Sequence, residues 1–344
     1  MIKKFTFKFS MYLLNRLRVI FRSFEKKQTI IENFITFLKW KLNYGKKDLT
    51  INFDLEKNKQ KNKKLAKNIA VTIPFYFSKK KISYLKKICK NLYEISRKCD
   101  VVIITNVKSK KNHLKLIKSI RYKRQKIRVY CPKELSHPRF LPWSHIPIMK
   151  KFIKNKLYDY FLYLEDDISI SKENIIYWIE LRKYIKKYNL IPGFIRTERN
   201  IKNNKIYAID FVKKNRLSLL PKLYTKKNKL FLTNTSFPYQ GMYFYDRKLM
   251  SEHLNGITSN PDYGHGLLDL NYMNSQVINK SLLDKANIAL IYKDTPAGFK
   301  NRIVVPVSVQ DKKIKNFCTI KHLSNKYTNS KSSFGNISTE NIFI

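Results

Sequence analysis

Acidic residues are scarce in this chain. Its 344 residues hold 24 Asp and Glu against 71 Lys and Arg, a formal net charge of +47. Arginine is scarce within that excess, at 14 residues against 57 lysines. Nucleic-acid readers lean on the planar arginine fork, so a lysine-dominated surplus argues against nucleic acid as partner. It fits either an AT-rich coding bias or attraction to a polyanion or anionic lipid surface, and both readings stay open. Only four cysteines occur, at 89, 99, 131 and 318. None forms a CxxC pair or a Cys/His cluster, which excludes a zinc-finger-like module and leaves free thiols as the default. No run approaches the ~18 apolar residues of a membrane span. The opening Met1-Ile2-Lys3-Lys4 resembles a signal peptide, but Arg16, Arg18 and Arg22 soon interrupt the apolar run. No small-residue cleavage site follows. The expected location is the cytoplasm, with a peripheral position at the inner face of a membrane as an option.

Hydrophobic residues make up 43% of the chain and aromatics 14%, enough for a substantial core. Residues 1–44 repeat apolar positions at three- and four-residue steps (Ile2, Phe5, Phe9, Leu13, then Ile30, Phe34, Leu38) among lysines. The pattern predicts two basic amphipathic helices that lie on an anionic membrane or pack on the main domain. The run Lys57 to Lys64 reads as an exposed linker.

From residue 68 short apolar runs alternate with helical spacing. Strands are expected at 69–74, 101–104, 127–131 and 161–164, with helices over 79–98, 110–120 and 144–158 between them. Alternation of this kind implies an α/β fold, a mostly parallel sheet flanked by helices. A further helix is expected over 172–188, then strands near 192–198, 205–211, 229–234 and 241–245. Residues 326–344, rich in Ser and Asn, are expected to form a flexible tail.

The fourth strand, Phe161-Leu162-Tyr163-Leu164, runs directly into Glu165-Asp166-Asp167. Ligands of parallel sheets bind beyond the carboxyl ends of the strands, which is where these acids fall. Three adjacent carboxylates repel one another, and a divalent cation relieves that cost. Mn²⁺ or Mg²⁺ takes one or two carboxylates and fills its shell with water and phosphate oxygens. Asp167 is the candidate metal ligand, with Glu165 and Asp166 serving the donor. The alternative is an acidic turn leading into the next helix, with Ser169 or Ser171 as cap.

An apolar strand running into an acidic triplet after three strand–helix units resembles the glycosyltransferase A fold, whose DxD-type motif is sometimes written EDD. Residues 138–178 also look like the segment leading into that motif. The resemblance implies a Rossmann-like catalytic domain over 68–325, behind an N-terminal extension of 1–67. It implies a nucleotide-sugar donor, a glycan or glycolipid acceptor, and Mn²⁺ or Mg²⁺. By position it places Thr72, Pro74, Phe75 and Tyr76 at the nucleotide and makes His322 an added metal ligand. Arg139, Trp143 and His145 precede the triplet by one helix and could border the donor, with core packing the stronger reading for Trp143. Candidate bases for the acceptor hydroxyl are Asp262 and Asp269, beside a glycine-bracketed turn, then Glu198 between Arg196 and Arg199. Gly241 would let a sugar approach the backbone. The competing function is a basic nucleic-acid-binding protein or Mg²⁺-dependent nuclease.

Overall fold

The computed structural model describes Leu38 and residues 65–135, 137–212, 214–225, 229–235, 237–261, 282–329 and 334–344. The helices expected over 1–44 fall outside these residues, Leu38 excepted. The described helices are α1 (Ile82–Ile95), α2 (Lys110–Ile120), α3 (His145–Lys154), α4 (Lys172–Ile185), α5 (Arg247–Asn255) and α6 (Leu282–Tyr292). The strands are β1 (Leu65–Phe75), β2 (Ser96–Thr105), β3 (Ile127–Tyr130), β4 (Tyr160–Leu164), β5 (Ile168–Ser169), β6 (Ile191–Pro192) and β7 (Ile195–Arg199). They continue as β8 (Ile206–Ala208), β9 (Leu223–Tyr224), β10 (Leu230–Thr233), β11 (Met242–Asp246), β12 (Ile303–Ser308), β13 (Thr319–His322) and β14 (Ile337–Ser338).

The protein is α/β, with a mixed, mostly parallel central sheet and flanking helices. The central sheet has the order β11-β4-β1-β2-β3. β3, β2, β1 and β4 run parallel, and β11 closes the edge antiparallel to β4. β1 from Ile69 onward and β4 are largely apolar because both faces are covered, the expected pattern for a buried parallel strand. α1 buries Leu85, Ile88, Leu92 and Ile95, one stripe at helical spacing. The helix expected to reach residue 98 ends at Ile95, and Ser96 opens β2 by pairing with Leu65 of β1. Strand pairing overrides local helical spacing there. The same pairing starts β1 three residues before the expected domain boundary at 68.

Among the described residues the remaining strands form two further sheets, so β11 is the one later strand that extends the central sheet. One has the order β14-β8-β7-β13-β5 and the other β6-β12-β10-β9. α4 is buried on most of its circumference. Its Trp178 ring meets Phe244 edge-on at 4.8 Å and Tyr160 at 6.2 Å, contacts each worth about 0.5–1.5 kcal/mol beyond area burial.

The flexible tail expected over 326–344 is a correction. β14 pairs with β8, Ile342 and Phe343 are buried, and Asn215 N–H donates to Ile342 O at 2.7 Å. Two apolar anchors outweigh the polar composition around them. Among the described residues no helix is long and apolar enough to cross a membrane.

Candidate active site

The acidic triplet occupies the turn between β4 and β5. Glu165 N–H donates to Gly241 O at 3.0 Å, and Ile168 N–H closes the turn onto Glu165 O at 3.1 Å. The cap expected at Ser169 or Ser171 is Ser171. Ser171 caps α4 in a reciprocal pair with Asn174, accepting from Asn174 N–H at 3.3 Å and donating its own N–H to Asn174 Oδ1 at 2.8 Å. The three carboxylates are thus left to other partners.

Sheet register brings those partners in. β13 pairs with β5, His322 opposite Ile168, and with β7, Lys321 opposite Thr197. Leu323 N–H donates to Asp167 O at 2.7 Å. Asn174 Nδ2 donates to Phe317 O and Thr319 O, tying β13 to the capped start of α4. His322 therefore lies between Asp167 and Glu198. Its Nε2 is 3.2 Å from Asp167 Oδ2 and its Nδ1 is 2.5 Å from Glu198 Oε1. Carboxylates only accept, so in this arrangement Nδ1 donates a hydrogen to Glu198 and Nε2 donates one to Asp167. Ser324 Oγ stands 3.1 Å from the same Nε2.

These groups open on a cleft of about 570 Å³. Lys81 Nζ holds Asp166 Oδ1 at 2.7 Å across it. Tyr239 OH donates to Glu165 Oε1 at 2.5 Å and Asn287 Nδ2 lies 3.4 Å from that oxygen. Arg196 forks onto Asp210 at 2.9 and 2.5 Å and lies 4.4 Å from the centre of the Tyr239 ring. Arg139, Asp284, Lys326 and Tyr327 complete the polar wall, and Tyr76, Leu283 and Phe334 expose apolar surface within it.

The charges are not equivalent. Burial, with Asp167 and Asp166 nearby, pushes the Glu165 carboxyl up to about 7, against the pull of Arg196 and Tyr239. Burial also lifts Asp166 to about 6, against the Lys81 ammonium. At Asp167 burial works in the same sense, but the hydrogen bond and charge of His322 prevail and hold it below the usual range. His322 is raised, because its bonds to Asp167 and Glu198 outweigh burial. Asp167 is therefore the most firmly ionised acid of the triplet.

Among the described residues one pair of side chains has the spacing of neighbouring ligands of a divalent ion. Asp167 Oδ2 and His322 Nε2 are 3.2 Å apart, and neighbouring ligands of an octahedral ion at ~2.1 Å lie roughly 3 Å apart. The carboxylate oxygen suits Mn²⁺ or Mg²⁺, whereas an imidazole nitrogen is the commoner choice of softer first-row ions. Among the described residues no group of three or more His, Cys, Asp or Glu side chains is arranged to hold a metal ion by itself. Such an ion would need oxygens from water and substrate.

The other expected positions divide. Pro74 and Tyr76 line the cleft, whereas Thr72 and Phe75 are fully buried and cannot reach a nucleotide. Arg139 borders the cleft, while Trp143 and His145 are core residues. Asp262 and Asp269 lie outside the described residues. Glu198 is no free base: its carboxylate is buried and accepts five hydrogen bonds. Its flanking arginines do not pair with it, since Arg196 binds Asp210 and Arg199 binds Asn204. The space at Gly241 is filled by Glu165 and Ile168, leaving none for a sugar. Lys81, Asp210, Tyr239 and Asp284 carry no sequence signal. Lys81 in particular is one lysine in a run of three.

No family model matches the chain, and no curated protein matches it. Among the solved structures that match is the 4-diphosphocytidyl-2C-methyl-D-erythritol synthase of Anaerococcus prevotii. It shares 12% identity with a TM-score of 0.29, over 56% of this chain and 77% of that one.

Proposed function

We propose that this chain transfers a sugar from a nucleotide-activated donor to a hydroxyl of a glycan or glycolipid acceptor, with a divalent cation held by Asp167 and His322. The observation that carries the reading is the Asp167–His322 pair at 3.2 Å, beyond the carboxyl end of β4 and inside the cleft. When bound, Mn²⁺ or Mg²⁺ would neutralise charge on a departing diphosphate.

The chain's own groups have separate tasks. Glu198 keeps a proton on Nδ1, so Nε2 is the nitrogen that gives up its hydrogen and presents a lone pair to the cleft once Asp167 turns to an ion. Lys81, half-exposed beside Asp166, and Arg139 supply cations for phosphate oxygens. Arg196, locked by Asp210, holds the Tyr239 ring whose hydroxyl orients Glu165. Pro74 and Tyr76 offer an apolar surface for the base.

The test is a thermal-shift panel of nucleotide-sugars with Mn²⁺, followed by transfer assays on wild type and Asp167→Ala. One donor should raise the melting temperature only with metal, and Asp167→Ala should abolish both effects. Unchanged turnover without divalent cation and with Asp167 replaced would refute the metal role. Steep salt-dependent affinity for an oligonucleotide, with cleavage, would favour the nuclease instead.

A further inference from the structure

Glu198 joins two parts of the cleft that are far apart in sequence from it. Its Oε1 accepts from His322 Nδ1 at 2.5 Å and Lys326 N–H at 3.0 Å. Its Oε2 accepts from Tyr327 N–H at 2.9 Å, Thr328 N–H at 2.8 Å and Thr328 Oγ1 at 3.1 Å. Three consecutive backbone N–H groups and one imidazole thus converge on a single buried carboxylate. The segment it grips forms a wall of the cleft. Lys326 lies close enough for its charge to act on Asp166, and the Tyr327 ring stacks on His322 at 5.5 Å and 27°.

We infer that Glu198 is a positioning residue that couples the orientation of His322 to the closure of the Lys326–Thr328 wall. The inference rests on the metal reading of Asp167 and His322. Its physical basis is the sharing of one rigid carboxylate. Any turn of the imidazole toward an ion moves Oε1, and Oε2 carries the wall along. Reciprocally, a wall that is loosened frees Glu198 and softens the hold on Nδ1, so the two equilibria are linked. A glutamine could not replace it. An amide has one acceptor oxygen and would serve either the histidine or the wall.

Two variants of the full chain, Glu198→Gln and Thr328→Val, separate this coupling from a purely structural cap. The measurements are Mn²⁺ affinity by titration with Mn²⁺ alone, and amide hydrogen exchange over residues 322–329 with and without Mn²⁺. In wild type Mn²⁺ should slow exchange at 326–328. Glu198→Gln should weaken Mn²⁺ binding by roughly 10–100-fold, the usual effect of losing a carboxylate behind a metal-bound histidine, and abolish the slowing. Thr328→Val touches neither His322 nor Asp167, so it is the decisive variant. It should speed exchange in the wall and still weaken Mn²⁺ several-fold. Faster exchange with unchanged Mn²⁺ affinity in Thr328→Val, or Mn²⁺ binding to wild type without any slowing at 326–328, overturns the coupling and leaves the metal reading standing. A wild-type chain that binds no Mn²⁺ overturns both.

Discussion

Gly241 leaves open the space that the Glu165 carboxylate occupies. A Cβ on Gly241 would stand 2.9 Å from Glu165 Oε2 and 3.0 Å from Ile168 Cγ1, and the residue has φ +63°. Gly241→Ala should therefore cost about 1–2 kcal/mol from the left-handed backbone alone, and more from the crowding of Glu165. Urea unfolding measures the first part. Donor binding, falling further than stability predicts, measures the second.

Lys81 and Asp166 predict a difference between neighbouring acids. Asp166 already has a cation at 2.7 Å, whereas Asp167 lies 3.2 Å from the His322 imidazole. Lys81→Ala should weaken nucleoside-diphosphate binding by about tenfold, equivalent to ~1.4 kcal/mol, through loss of a charge-assisted contact. It should leave Mn²⁺ affinity within about threefold. Calorimetric titration with each ligand separately decides this, and a large fall in Mn²⁺ affinity would contradict the assignment of the ion to Asp167.

The C-terminal strap predicts a stability effect that a frayed tail would not have. Removing residues 337–344 deletes β14 and the buried Ile342 and Phe343. The expected loss is roughly 3–6 kcal/mol, from about 1.5–3 kcal/mol for each of the two buried apolar side chains. A truncated chain that unfolds at the same urea concentration as the full one would contradict the packing described.

His145 predicts a pH effect with a definite sign. Burial, only partly offset by its Nδ1 contact with Pro142 O, pushes it down to about 4, so it stays neutral in the folded chain. The unfolded chain binds the proton near 6.5. Its contribution is complete above that value and is lost as pH falls toward 4. Glu165 and Asp166, both raised, act in the opposite sense, so the wild-type profile alone does not isolate it. His145→Asn keeps a donor for Pro142 O and removes the titration. Between pH 7 and 5 the variant should lose roughly 2 kcal/mol less stability than wild type. Identical losses by urea unfolding would contradict a neutral buried His145.

Much of the first half was legible because its signals are local. The runs at 69–74, 101–104 and 161–164 are apolar on both faces, and a strand covered by helices on both sides needs that pattern. In the second half β6, β7, β8, β10 and β11 fall where strands are expected, but β12, β13 and β14 are missed, and pairing across long sequence gaps, β7 with β13 and β8 with β14, leaves no local signal. Ile342 and Phe343 look unremarkable in a Ser- and Asn-rich stretch until the groove that takes them exists. At the strand end Phe75 and Tyr76 are open to either a nucleotide-facing or a core reading, and alternation divides them, turning Pro74 and Tyr76 to the cleft and Phe75 to the core.

By itself, the sequence determined the parallel strands, the helices between them and the placing of three carboxylates where β4 ends. Each follows from hydrophobic period and chain order, which are properties of neighbouring residues. Tertiary structure alone decided which partner each carboxylate meets. Asp166 faces Lys81 from 85 residues away, Glu165 meets Tyr239, and Asp167 meets a histidine whose other nitrogen is held by Glu198. Ionisation and ligand geometry depend on distances of about 3 Å between such partners, and those distances are set only when the sheets pack.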